Sequence, residues 1–288
     1  MLKPDAPPGK TPGSHPQDDD ALIRTPGGGL PRLLAIMQRL RDPETGCPWD
    51  IEQDFASIAP CTIEEAYEVA DAIEREDWQD LKGELGDLLL QVVFHARIGE
   101  ERGLFDFHVI ADAIAEKMVA RHPHVFGNES RNKTAEQQTR DWEAVKAAER
   151  AARAERGVLD GVAKNLPALT RAEKLQKRAA RVGFDWNEPK AVLEKLAEEA
   201  AELVEARESH SPEQMEEEMG DLLFVMANLA RHMKVDPEQA LRRSNEKFER
   251  RFREIENKLE ASGKSVKTAT LDEMDAIWNE VRARDKKT

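Results

Sequence analysis

Apolar residues in this chain come in short runs bordered by acids, and two of those runs are nearly the same. Residues 84–89 read ELGDLL and residues 218–223 read EMGDLL, 134 positions apart. The alternation of Val, Ile or Thr with polar residues that marks half-buried strands is nearly missing; Ala, Leu, Glu and Arg prevail instead. This pattern predicts an all-α protein. In the second half it predicts a helix before Gly183, one over about 189–208, and a third starting at Pro212 with Ser211 as N-cap. A fourth starts at Pro237 behind Asp236, and a last runs over about 271–285. None of these helices can bury its apolar stripe alone, so they must pair with one another or with another subunit.

The repeat extends well beyond the hexapeptide. At the same offset Glu64, Glu65 and Glu68 fall on Glu198, Glu199 and Glu202, while Glu84 and Asp87 fall on Glu218 and Asp221. Gly86 falls on Gly220, Leu88-Leu89 on Leu222-Leu223, and Ala96-Arg97 on Ala230-Arg231. With small shifts, Gly46…Trp49 matches Gly183…Trp186 and Lys117/Arg121 matches Lys247/Arg251; each copy then ends on a tryptophan-bearing helix, with Trp142 and Trp278. The expected organisation is a disordered tail over 1–29, a first helical domain over 30–130, a charged helical connector and linker over 131–165, and a second domain over 166–288. In the first copy Pro123 should cut short the helix that follows the acids, whereas the second copy continues helically through RRFREIENKLE.

The spacing of the acids carries the chemistry. Glu199 and Glu202 share one helix face, as do Glu218 and Asp221 on the next helix, each pair roughly 5–6 Å apart. If the two helices pack antiparallel, four carboxylates converge, with Glu198 beside them; Glu65, Glu68, Glu84 and Asp87 repeat the arrangement. Acids beside an apolar run lie near the core, where unpaired carboxylates are costly and a cation relieves the cost. An all-oxygen donor set points to Mg²⁺, with Mn²⁺ as a substitute, rather than zinc. A glycine inside such a helix costs about 1 kcal/mol. At Gly220 the expectation is that a side chain would obstruct the metal cluster or the neighbouring helix. Lys247 and Arg251, at i,i+4, share one helix face.

Charge and cysteine content narrow the partners. A net charge of −14 and a pI near 5.1 disfavour stable nucleic-acid binding. Two cysteines, Cys47 and Cys61, make no disulfide framework and fit a reducing cytoplasm. The longest apolar runs, such as LLLQVVF at 88–94, fall far short of the ~20 residues that span a bilayer, and residues 1–29 lack the apolar core of a signal peptide.

The pattern E-E-x-x-E, fifteen residues, then E-x-x-D resembles the all-α nucleoside triphosphate pyrophosphohydrolases, a superfamily that includes MazG, dimeric dUTPases and phosphoribosyl-ATP pyrophosphatase. LTRAEKLQKRAARVGFDW at 169–186, RHPHVFG at 121–127, MQRLRDPETGCPWD at 37–50 and NEKFERRFREIE at 245–256 make the likeness to the MazG family the strongest, over about 30–285. The resemblance implies a tandem of MazG-like helical bundles that hydrolyses NTPs and dNTPs to the monophosphate and pyrophosphate, as broad nucleotide-pool housecleaning. It implies that Glu199, Glu202, Glu218 and Asp221 hold Mg²⁺ and that Glu198 is an outer ligand or orients the attacking water. Lys247 and Arg251 would grip the triphosphate, Trp278 would line the nucleotide site, and Lys146 would reach the C-terminal site from the connector. It further implies a homodimer with the C-terminal copy as the main active unit. A narrow dUTP, dCTP or phosphoribosyl-ATP pyrophosphatase stands as an alternative, as does a non-catalytic, metal-stabilised regulatory helical dimer.

Overall fold

The structure, a computed structural model, describes residues 21–130, 132, 134–152, 157–186, 188–209 and 211–285, with the side chains of 143, 144 and 146–152 outside that description. Among the described residues there is no strand, and the chain divides into two compact units, Met1–Trp142 and Glu143–Thr288. The boundary falls inside a helix, α7 (Ala135–Ala152). That helix begins at a reciprocal cap formed by Thr134 and Gln137. The Thr134 amide donates to Gln137 Oε1 at 2.8 Å and the Gln137 amide to Thr134 Oγ1 at 3.2 Å. Of the predicted tail, 1–20 lie outside the described residues; 21–24 form a helical turn, and Arg32 Nε donates to the Ile23 carbonyl at 2.8 Å.

The first unit contains α1 (Gly29–Leu40), α2 (Pro48–Glu52), α3 (Phe55–Glu74), α4 (Trp78–Glu101), α5 (Phe107–Arg121) and a single turn, α6 (Pro123–Phe126). Asp54 caps α3 by accepting from the Ala56 and Ser57 amides, and Asp77 caps α4 by accepting from the Asp80 amide at 3.0 Å. Between them Glu76 takes a left-handed turn at φ 55°, folding α4 back along α3. Met37, Ile58, Val93, Phe94 and Ile98 form the core, covered by Leu33, Leu34, Phe55, Leu90 and Phe107. Buried Arg41 ties the end of α1 to α4 through Glu101 at 2.7 Å and to the Gln53 carbonyl at 3.1 Å. Gly46 completes this corner: a Cβ there would stand 2.3 Å from the Leu40 carbonyl oxygen.

The second unit contains α8 (Ala168–Ala180), α9 (Pro189–Glu208), α10 (Pro212–His232), α11 (Pro237–Ala261) and α12 (Leu271–Asp285). These match the five predicted helices. Ser211 caps α10 by accepting from the Gln214 amide at 3.3 Å, and Asp236 caps α11 by accepting from the Gln239 amide at 3.0 Å. Helix α9 pairs with α10, α8 lies on α10 and α11, and α12 packs on α11. The repeat is visible in the packing. Ile58, Ala72 and Val93 are buried in the first copy, and Val192, Ala206 and Ala227, each 134 positions later, are buried in the second. Helix α5 stops at Arg121 before Pro123, while α11 runs for 25 residues, as the sequence predicts. No helix among the described residues is long and apolar enough to cross a membrane.

The expectation for the helical glycines is not met. A Cβ at Gly86 or at Gly220 would meet nothing within 4 Å. Both lie on exposed surface, so packing of a neighbouring helix in the same unit does not account for them.

Candidate metal centre

Antiparallel pairing of α3 with α4, and of α9 with α10, sets one acid-bearing face against another. Carboxylate oxygens of Glu65, Glu84 and Asp87 lie within 4.8 Å of one another in the first copy, and those of Glu199, Glu218 and Asp221 do so in the second. Each triad joins one residue from the first helix of a pair to an i,i+3 pair on the other. Glu68 and Glu202, grouped with them by sequence, stand outside these triads but near enough for their charges to act on them. Glu218 is pushed above the ordinary carboxylate range, first by desolvation, then by the charges of Glu202, Glu199 and Asp221. Glu65 and Glu84 are raised in the same way, desolvation leading, with Asp87 next for Glu65 and Glu68 next for Glu84. Carboxylates this crowded fit a divalent cation, and the donors are all hard oxygens.

The two centres are not equivalent. Glu199 is only 4% exposed, and Lys195 Nζ lies 2.7 Å from its Oε1 and 2.9 Å from Glu198 Oε1. Those two carboxylates hold the Lys195 ammonium charged to higher pH than usual. Lys195 escaped the sequence reading, although its i,i+4 spacing to Glu199 was a legible signal. The same position in the first copy is Cys61. There the helix pair is instead polar below the acids. Buried Gln91 donates to Glu65 Oε1 over a long 3.4 Å, and Thr62 Oγ1 meets His95 Nε2 at 3.0 Å. Burial holds His95 toward its neutral form, and its ring stacks on Phe55 at 5.8 Å. The second copy has Leu196, Val225 and Leu229 at these positions, so these three sites are apolar there.

The predicted phosphate-binding residues form a separate group on α11 and α12. Arg251 lies over the Trp278 ring, 5.3 Å from its centroid, and Trp278 rests against Phe248 at 5.6 Å. Lys247 is exposed one turn before Arg251. In the first copy the Trp142 indole donates to the Arg121 carbonyl at 3.1 Å and its ring meets His122 edge-on. Lys146 falls outside the residues whose side chains are described.

Two acid triads that could hold a metal ion, each on an antiparallel helix pair, place the chain in a class of all-α repeat proteins with paired carboxylate clusters. Residues 53–126 and 187–255 each match the MazG nucleotide pyrophosphohydrolase domain. The chain is 52% identical over 258 residues to the nucleoside triphosphate pyrophosphohydrolase of Escherichia coli K12, covering 89% of this chain and 98% of that protein. It is 41% identical over 253 residues to the nucleoside triphosphate pyrophosphohydrolase/pyrophosphatase MazG of Thermotoga maritima, covering 88% and 95%. A Mycobacterium tuberculosis nucleoside triphosphate pyrophosphohydrolase is 40% identical over 160 residues, 55% of this chain and 47% of its own. The chain belongs to the MazG family.

The crowding of Glu218 has a measurable consequence. A carboxyl whose pKa is raised by folding destabilises the fold at neutral pH, and this penalty vanishes as the pH falls below the raised value. Without divalent cation, Glu218→Gln is therefore expected to melt above wild type at neutral pH, with the gap closing on acidification. Its cation-dependent rise in Tm should shrink. Thermal melts with and without MgCl₂ check this; a variant that melts lower and keeps the full rise would remove Glu218 from the centre.

Proposed function

We infer that this chain hydrolyses nucleoside triphosphates to the nucleoside monophosphate and pyrophosphate, with the acid triad of the second copy as the working centre. The convergence of Glu199, Glu218 and Asp221 within 4.8 Å, in a MazG-family chain, carries this reading. Glu199, Glu202, Glu218 and Asp221 would hold Mg²⁺ or Mn²⁺, and the equivalent acids of the first copy form a second cation centre. A cation so held neutralises phosphate oxygens and lowers the pKa of a bound water. Glu198, exposed at the rim and bonded to Lys195, is placed to orient the attacking water and take its proton. Lys195 bridges the carboxylates of Glu198 and Glu199.

Lys247 and Arg251 grip the triphosphate, Trp278 lines the nucleotide site, and Lys146 completes it from the connector. In the second copy the 25-residue helix α11 carries Arg251 over the Trp278 ring; this supports it as the working unit. Substrates are taken as NTPs and dNTPs broadly, in a housecleaning role. Two unpaired cysteines are in keeping with the cytoplasm.

The helical glycines support a homodimer. Open space at Gly86 is bordered by exposed Leu85 and Leu89, and open space at Gly220 by exposed Met219, Leu223, Phe224 and Met226. A helix of a second chain laid on such a surface buries apolar area, and a glycine admits its close approach. The chain is expected to sediment at the mass of two chains, and Leu223→Glu to shift it toward one. A wild-type mass of one chain would contradict the dimer.

Activity is tested by pyrophosphate release from the common NTPs and dNTPs with Mg²⁺. Asp221→Asn should cost at least about a hundredfold, the scale expected for losing a metal ligand, while Asp87→Asn stays within a few fold of wild type. Loss in Asp87→Asn alone would move the working centre to the first copy. No pyrophosphate from wild type would refute the hydrolase.

A further inference from the structure

We propose that Asp285, the last residue of α12, is a positioning residue for Arg251, holding its guanidinium in the attitude in which it meets substrate phosphate. The proposal rests on the reading of Arg251 as a phosphate-gripping residue. Asp285 Oδ2 accepts from Arg251 Nε at 2.9 Å, and both side chains are sheltered, 12% exposed for Arg251 and 18% for Asp285. The contact takes the inner nitrogen of the guanidinium. The Nη1/Nη2 edge, the fork that matches two phosphate oxygens, is not the one engaged by Asp285.

A second constraint acts on the face of the same group. The guanidinium carbon lies 5.3 Å from the Trp278 centroid, and Trp278 is braced by Phe248, itself stacked on Phe252 at 6.0 Å. An arginine has several rotatable bonds, and each one fixed beforehand reduces the ordering cost at binding. One edge bond and one stacked face leave the guanidinium little freedom, with its outer edge directed away from Asp285. Arg250 also bonds Asp285, through Nη1 at 3.0 Å and Nη2 at 2.7 Å. It is 53% exposed and uses its own fork for the carboxylate. Two arginines thus share one acid in different ways, and only the sheltered one keeps its fork for a ligand.

The test is a double-mutant cycle in NTP hydrolysis, with KM and kcat measured for wild type, Asp285→Asn, Arg251→Ala and the double variant. Asp285→Asn is expected to raise KM roughly tenfold with kcat within about threefold, the pattern of weakened ground-state and transition-state binding alike. It should have no further effect once Arg251 is alanine, and Asp285→Glu should recover part of the loss. An unchanged or lower KM in Asp285→Asn, with KM raised in Arg251→Ala, would overturn the positioning role, as would additive effects in the double variant. An Arg251→Ala enzyme with normal KM would instead refute the phosphate-gripping reading itself, and the proposal with it. If Asp285→Asn fails to fold, Asp285→Ser decides on the same KM criterion: a KM equal to wild type without the carboxylate overturns the proposal.

Discussion

Repulsion among carboxylates is the constraint around which each unit is built. Antiparallel helices bring Glu199 against Glu218 and Asp221, and Glu65 against Glu84 and Asp87, within 4.8 Å. No arrangement of like charges at that distance is favourable in itself. The rest of the fold supplies what is needed to keep them there. Asp77 and Ser211 fix where α4 and α10 begin, and the tight turn at Glu76 sets the register of the first pair. The buried seam of Ile58 and Val93, repeated as Val192 and Ala227, holds the helices together below the acids.

The duplication did not preserve a single solution. In the second copy an internal ammonium, Lys195, partly balances the charge on Glu199 and Glu198, and the seam below turns apolar at Leu196, Val225 and Leu229. In the first copy the seam stays polar through Gln91, Thr62 and His95. The second copy also extends α11 to carry Arg251 toward α12, where Trp278 and Asp285 hold it. Charge handling at the acids and an ordered cation on the following helix are therefore combined in one unit and separated from the other.

Much of this was legible in the sequence. Helix starts at Pro212 and Pro237 follow from the proline position and its cap, which are local effects. The acid faces follow from i,i+3 spacing, and the tandem repeat from one constant offset. Less legible were features that depend on which groups meet across elements. Lys195, like Lys190, has a glutamate four positions on in the same helix, and only burial of Glu199 sets it apart. Asp285 is thirty-four positions from Arg251 and gives no local signal. The glycine expectation failed for a different reason: it assumed a neighbour within the chain, and the space above Gly86 and Gly220 is open.

The most direct test is where a divalent cation sits. Crystals of the protein with Mn²⁺ and a non-hydrolysable NTP analogue, measured at the manganese absorption edge, would locate the ion by its anomalous signal. The expected result is a peak bonded to carboxylate oxygens of Glu199, Glu218 and Asp221, with phosphate oxygens of the analogue completing its coordination. A peak away from those residues, or an occupied nucleotide site with Glu199 still bound to Lys195 and no ion between the helices, would contradict it.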